Sequence, residues 1–65
     1  MMEGKFKVGD KVKVPQGTEG ALSWWLEKPA TVRAVVAESE LYEVLFDDAY
    51  DFAFIEEKML APVGK

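Results

Sequence analysis

Alternation of apolar and polar side chains runs through two neighbouring segments in the middle of the chain. Residues 30–37 and 41–46 are rich in β-branched and aromatic residues, and only the polar residues 38–40 separate them. A period of two places successive side chains on opposite faces of a strand, so the pattern predicts a β-hairpin with one buried face. We expect its inner face to carry Val32, Ala34 and Val36 from the first strand and Tyr42, Val44 and Phe46 from the second.

Segments on either side of the hairpin predict further short strands. Residues 5–15 alternate around Gly9-Asp10, which predicts a strand with a bend or bulge. Residues 50–55 predict a fourth strand, residues 55–59 one helical turn, and residues 60–63 a short edge strand. We therefore expect an all-β fold of five strands that closes into a barrel, because closure leaves no edge exposed.

The segment between the first two strands has no steady period. Residues 16–29 are punctuated by glycine and proline, and this length is unusual for a loop in a small domain. Loops of this length usually carry function or short structure of their own. We predict a long first loop, with one short 3-10 or helical turn later in the chain, before the last strand.

Length and composition limit the kinds of chemistry available. We expect residues 1–65 to form one domain, and this chain contains neither cysteine nor histidine. A disulfide, a thiolate nucleophile and the commonest neutral-pH acid–base catalyst are therefore excluded. We expect no catalytic residues, no metal site and no cofactor. No apolar run is long enough to span a membrane, and we expect a soluble cytoplasmic protein.

The net charge is −4, and it is distributed unevenly along the chain. The basic residues near the N-terminus are Lys5, Lys7, Lys11 and Lys13. Eight acidic residues lie between positions 38 and 57. This balance disfavours nucleic-acid binding, which needs cations against phosphates, and favours a cationic partner.

Four short motifs resemble the SH3-like small β-barrels, and among them the Tudor-like pattern. They are VGDKV at 8–12, ATV at 30–32, YEVLFDD at 42–48 and LAP at 60–62. In Tudor-like proteins, aromatic side chains from the first loop and the hairpin strands form a cage for methylated lysine or arginine. The resemblance implies an SH3-like barrel whose partner-binding residues are Trp24, Trp25, Tyr42, Asp48, Tyr50 and Phe52.

The dipeptide Trp24-Trp25 and an apolar outer face both predict interfaces. If the dipeptide is extended, its side chains point to opposite faces, so at most one joins the core. Tryptophan is also enriched at binding hot spots. Val35, Leu45 and the run from Tyr50 to Ile55 place apolar groups outside the core, which predicts a homodimer unless the long loop covers them.

These patterns predict a non-catalytic protein-interaction module. It would bind a basic or methylated peptide, or a partner subunit, through an aromatic and acidic surface. Two alternatives stay open. One is a small accessory subunit that docks on a larger complex, and the other is a nucleic-acid-associated small barrel that uses the N-terminal lysines.

Overall fold

Five antiparallel strands form one sheet in the computed structural model, which describes residues 5–48 and 51–63. In chain order they are β1 (Lys11–Lys13), β2 (Ala30–Val36), β3 (Leu41–Phe46), β4 (Asp51–Glu56) and β5 (Ala61–Pro62). Three short 3-10 turns occupy Ser23–Trp25, Ala37–Ser39 and Glu57–Met59. The predicted all-β fold of five strands, with a long first loop and a 3-10 turn before the last strand, is confirmed.

The sheet is open, with the strand order β4-β3-β2-β1-β5. The predicted closure into a barrel is therefore wrong for the residues that the structure describes, since β4 and β5 form two separate edges. Strand β5 contains only two residues, and one of them, Pro62, has no N–H to donate to a further strand. Within the two described ranges, no helix is long and apolar enough to cross a membrane.

The hydrophobic core lies on the inner face of the sheet, as alternation in the central strands predicts. Its buried members come from four strands, the N-terminal segment, the residue after β1 and the residue before β5. They are Phe6, Val12, Val14, Ala30, Val32, Tyr42, Val44, Phe46, Ile55 and Leu60. The rings of Phe6 and Tyr42 meet edge to face with their centroids 5.5 Å apart. No charged side chain is buried among them, so hydrophobic packing stabilises this core.

A β-bulge at Arg33 changes which side chains of β2 face inward. Val32 pairs with Val44, but Ala34 pairs with Glu43, so one extra residue is inserted in β2. Opposed residues in a pair share a face, and Ala34 therefore lies on the outer face with Glu43. Val36 follows it there, opposite Leu41. The expectation that Val32, Ala34 and Val36 share the inner face is wrong beyond Val32.

Gly9-Asp10 forms a tight turn before β1. The Lys7 N–H donates to the Asp10 carboxylate at 2.9 Å, and Gly9 has a φ of +98°, which glycine adopts readily. The turn docks on β2, since the Gly9 N–H donates to the Val32 carbonyl at 2.8 Å and the Val32 N–H donates to the Asp10 carbonyl at 2.9 Å. These bonds lie next to the bulge at Arg33. The first strand therefore begins only at Lys11.

Candidate functional site

The base of the long loop is fastened by Glu27. Its carboxylate accepts hydrogen bonds from the Gln16 N–H at 3.0 Å and from the Lys13 Nζ at 3.1 Å. Its own N–H donates to the Val14 carbonyl at 2.8 Å. The Gln16 hydrogen bond first, and then Lys13, lower the pKa of the Glu27 carboxyl below its ordinary value. Glu27 therefore joins the end of the loop to its beginning.

The two tryptophans lie together in the 3-10 turn Ser23–Trp25 but have different surroundings. The Trp24 ring is 42% exposed, and its centroid lies 5.1 Å from that of Phe46, at the last residue of β3. Trp25 is half-buried against the core and lines a groove with Leu41, at the first residue of β3. The ends of a six-residue strand are about 17 Å apart. The pair therefore does not form one aromatic cage.

An open groove of about 470 Å³ separates the long loop from β4 and the last 3-10 turn. This volume is within the range of small-ligand sites. Its lining combines apolar and charged side chains from regions far apart in sequence. The lining residues are Glu19, Gly20, Trp25, Leu41, Phe54, Glu56, Lys58 and Met59.

The lining of the groove combines aromatic and apolar side chains with more carboxylates than cations. The rings of Trp25 and Phe54 supply its aromatic surface, and Phe54 is 58% exposed. Two carboxylates, Glu19 and Glu56, outnumber the single cation, Lys58. The Lys58 Nζ lies 3.6 Å from a Glu56 oxygen, and both side chains are exposed, so solvent screens this pair. The groove can therefore accept a positively charged group beside aromatic rings.

Tyr42, one of the predicted binding residues, lies in the core and is only 2% exposed. Its hydroxyl accepts a hydrogen bond from the Phe6 N–H at 3.3 Å and donates to the Glu57 carboxylate at 2.9 Å. Burial, and to a lesser degree Glu57, raise the pKa of the Tyr42 hydroxyl. The Tyr42 ring is therefore enclosed in the core and does not contribute to a binding surface.

The remaining predicted binding residues are divided between two faces of the sheet. Asp48 is exposed in the turn that follows Phe46, at the end of β3 that Trp24 covers. Phe52 pairs with Leu45 on the outer face and is 55% exposed, whereas Trp24 packs against Phe46 of the inner face. Tyr50 lies outside the described residues. The structure thus separates Phe52 from Trp24 and does not place both in one site.

Two lysines of the N-terminal cluster are engaged by carboxylates. The Lys11 Nζ lies 2.9 Å from an Asp47 oxygen, and the Lys13 Nζ lies 3.1 Å from a Glu27 oxygen. The Asp47 carboxylate also accepts a hydrogen bond from the Thr31 hydroxyl at 3.1 Å. Lys11 first, and then Thr31, lower the pKa of Asp47. These ion pairs reduce the positive charge that a nucleic-acid backbone would meet.

Trp25 is the one predicted binding residue that lines the groove, and sequence reasoning did not assign its other side chains to a site: Glu19, Leu41, Phe54, Glu56, Lys58 and Met59. Phe54 could have been found, because it alternates with Phe52 in β4 and therefore shares its outer face. Met59 is brought near the loop at Gly20, where an added Cβ would lie 3.6 Å from the Met59 Cε. No local pattern predicts that contact, since it joins two segments nearly forty residues apart.

No family model, curated protein or solved structure matches this chain. Similarity to a known protein therefore assigns no function to the groove. A functional assignment depends instead on the shape of the groove and the chemistry of the residues that line it.

Proposed function

We propose that this chain is a non-catalytic protein-interaction module whose groove binds a partner segment carrying a basic or methylated side chain. The observation that supports it is the aromatic and acidic lining, with Trp25 and Phe54 beside Glu19 and Glu56. Cations are attracted to aromatic faces, and methyl groups add apolar contact without removing the charge of a lysine. The carboxylates favour the same ligands and disfavour acidic ones.

The architecture supports a more specific proposal about the fold. The five antiparallel strands, the long first loop and the 3-10 turn before β5 agree with the resemblance to SH3-like small barrels. We propose that the chain is related to these folds in a Tudor-like form, with a sheet that stays open between β4 and β5. Its groove uses a different set of side chains from the expected cage, because Tyr42 is buried and Phe54 and Met59 take part.

Binding to an open groove of this kind is expected to be weak. A cation over an aromatic ring at an exposed site contributes about 0.5–1 kcal/mol, and exposed carboxylates add a similar amount that salt reduces. A few such contacts total about 2–4 kcal/mol, which corresponds to a dissociation constant of about 1 mM or weaker for a short peptide. We therefore expect rapid exchange and a clear loss of affinity at high salt.

Two single-tryptophan variants test the groove. Trp24→Phe leaves Trp25 in the groove as the only indole, and Trp25→Phe leaves Trp24 over Phe46. Each folded variant is titrated with four peptides that differ only at the central residue: lysine, trimethyllysine, arginine or glutamate. We expect the cationic peptides to change the emission of the Trp24→Phe variant and to leave that of Trp25→Phe nearly unchanged.

Charge reversal identifies the surface that the peptides use. Glu19→Lys and Glu56→Lys alter the groove, and Asp48→Lys makes the same change in the turn after β3 as a matched control. We expect the two groove variants to weaken trimethyllysine binding severalfold, with Asp48→Lys close to the parent chain. Equal binding of the glutamate peptide, or equal effects of all three variants, would contradict the proposal.

A further inference from the structure

Strand β4 is a long, unprotected edge of the sheet. It spans Asp51–Glu56 and pairs with β3 without a bulge, and no described strand pairs with its other side. Natural edge strands are usually blunted by lysine, proline, a bulge or short length. The opposite edge, β5, is short and contains Pro62, whereas β4 has six residues without lysine or proline, and its two charged residues, Asp51 and Glu56, lie only at its ends. Its free backbone groups can therefore accept another strand.

We propose that β4 pairs antiparallel with β4 of a second copy of this chain, about a twofold axis at Ala53. Such a contact is isologous, because the same surface serves both copies. It joins the two sheets edge to edge into one continuous sheet. The contact surface shares Phe54 with the groove, whereas Phe52 and Ala53 are not groove residues.

The alternation of β4 restricts the possible registers. Phe52 and Phe54 lie on the outer face and Ile55 on the inner face, so a continuous sheet must oppose outer residues with outer residues. An axis at Ala53 places Phe52 opposite Phe54 of the second copy, and does so twice. An axis at Phe54 would place Phe52 opposite Glu56 of the second copy, which pairs a phenyl ring with a carboxylate. An axis at Phe52 would leave Phe54 without an opposing residue in β4 of the second copy.

Charge placement is compatible with the axis at Ala53. The acidic residues of β4, Asp51 and Glu56, lie at its two ends. With the axis at Ala53, Asp51 lies opposite Ile55 of the second copy, and Glu56 lies beyond the end of the second β4. Like charges therefore do not face each other across the interface, and the second copy fits β4 without a repulsive pair. The net charge of −4 on each copy still predicts that added salt tightens the dimer.

The area available indicates a weak dimer. A phenylalanine buries about 150–250 Å² when fully covered, so Phe52 and Phe54, each more than half exposed, offer about 100 Å² apiece. The four rings of a dimer contribute about 400 Å² before the backbone is counted, against the roughly 1,200 Å² of a small stable interface. We therefore expect reversible association that depends on concentration.

Sedimentation over a wide range of concentrations tests the dimer. We expect a monomer–dimer equilibrium that salt shifts toward dimer, and more than about tenfold weaker association in Phe52→Glu, which places a carboxylate opposite a phenyl ring. Val8→Glu is the matched control, since Val8 is an exposed apolar residue in the turn before β1. The double change Phe52→Glu with Phe54→Lys is expected to restore association, because the axis at Ala53 places the two new charges of opposite sign against each other.

A disulfide tests the register itself. An antiparallel pair places the two Ala53 Cα atoms about 4.5–5.5 Å apart, within disulfide range, and the chain has no cysteine of its own. With oxidised glutathione, Ala53→Cys is expected to form a covalent dimer. Glu56→Cys is the control, since its two copies would lie about 20 Å apart.

Three outcomes would overturn the proposal. They are a monomer at every concentration, a dimer that Phe52→Glu and Val8→Glu weaken equally, and equally fast cross-linking of the Ala53→Cys and Glu56→Cys variants. Phe54 and Glu56 also line the groove, but sedimentation and cross-linking are carried out without peptide, so these results do not depend on whether peptides bind there.

Discussion

Strands β3 and β4 carry large apolar side chains on both faces, and the two faces differ in what covers them. On the inner face, Tyr42 and Phe46 are almost completely buried. On the outer face, Phe52 and Phe54 are more than half exposed. Packing within the chain accounts for the burial of the inner residues. The outer residues contribute little to the fold, and exposed apolar patches of this kind usually mark an interaction surface.

Truncating one phenylalanine on each face gives the largest expected contrast. Phe46→Ala removes a fully buried ring and is expected to lower the free energy of unfolding by about 3–5 kcal/mol. A domain of this size has about that much stability in total, so the variant is expected to be largely unfolded. Phe52→Ala is expected to change the free energy of unfolding by less than about 1 kcal/mol. Urea denaturation at a concentration that keeps the chain monomeric measures both.

The comparison of Phe46→Ala with Phe52→Ala has a spectroscopic control, and one result would contradict it. Phe46 also contacts Trp24, so any Phe46→Ala molecules that remain folded should show altered Trp24 emission in a Trp25→Phe background. If Phe52→Ala is as destabilising as Phe46→Ala in the monomer, the outer face is part of the core. The interfaces proposed for it would then lose their main support.

Tyr42→Phe separates hydrogen bonding from packing on the inner face. The ring remains, but the Phe6 N–H loses its acceptor and the Glu57 carboxylate loses a donor. Leaving a buried donor without a partner costs about 1–3 kcal/mol, so we expect a loss in this range, smaller than that of Phe46→Ala. Urea denaturation and near-UV circular dichroism check it. An unchanged stability would show that the hydroxyl network contributes nothing beyond the ring.

The inner face could be predicted from sequence because it is a local property. Alternation alone places Val12, Val32, Val44 and Phe46 inward, and all are buried. The bulge at Arg33 could not be predicted in the same way. It coincides with hydrogen bonds between Val32 and the turn at Gly9-Asp10, over twenty residues earlier, and it reverses the faces of the residues that follow.

The candidate site was predictable only in part, for a related reason. Trp24 and Trp25 stand out by residue type, and each does contribute to the surface. Their separation follows from the 3-10 turn, whose backbone directs neighbouring side chains differently from a strand. The groove also needs the contact of the loop with Met59, and tertiary packing alone creates it.

Acidification has the smallest expected effect and tests how the N-terminal segment and the long loop are attached to the sheet. Glu57 accepts from the Lys5 N–H at 2.7 Å, and Glu27 accepts from the Gln16 N–H at 3.0 Å. The Lys5 bond and then Tyr42 lower the pKa of Glu57 from its ordinary 4.5, as Gln16 and then Lys13 lower that of Glu27. A lowered folded-state pKa gives stability that is present above pH 4.5 and is lost as the pH falls through the folded value.

We therefore expect the free energy of unfolding to decrease below about pH 4.5, and the amides of Lys5 and Gln16 to lose exchange protection before that of Val44. Hydrogen exchange followed by NMR resolves the three sites. Glu57→Gln is the matched control, since it cannot titrate but has the same acid-induced charge repulsion elsewhere. Its stability should fall less on acidification than that of the parent chain. Equal loss of protection at Lys5 and Val44 would mean that the N-terminal segment and the sheet unfold as one unit. It would contradict the expectation that the contacts of the Glu57 and Glu27 carboxylates are lost first.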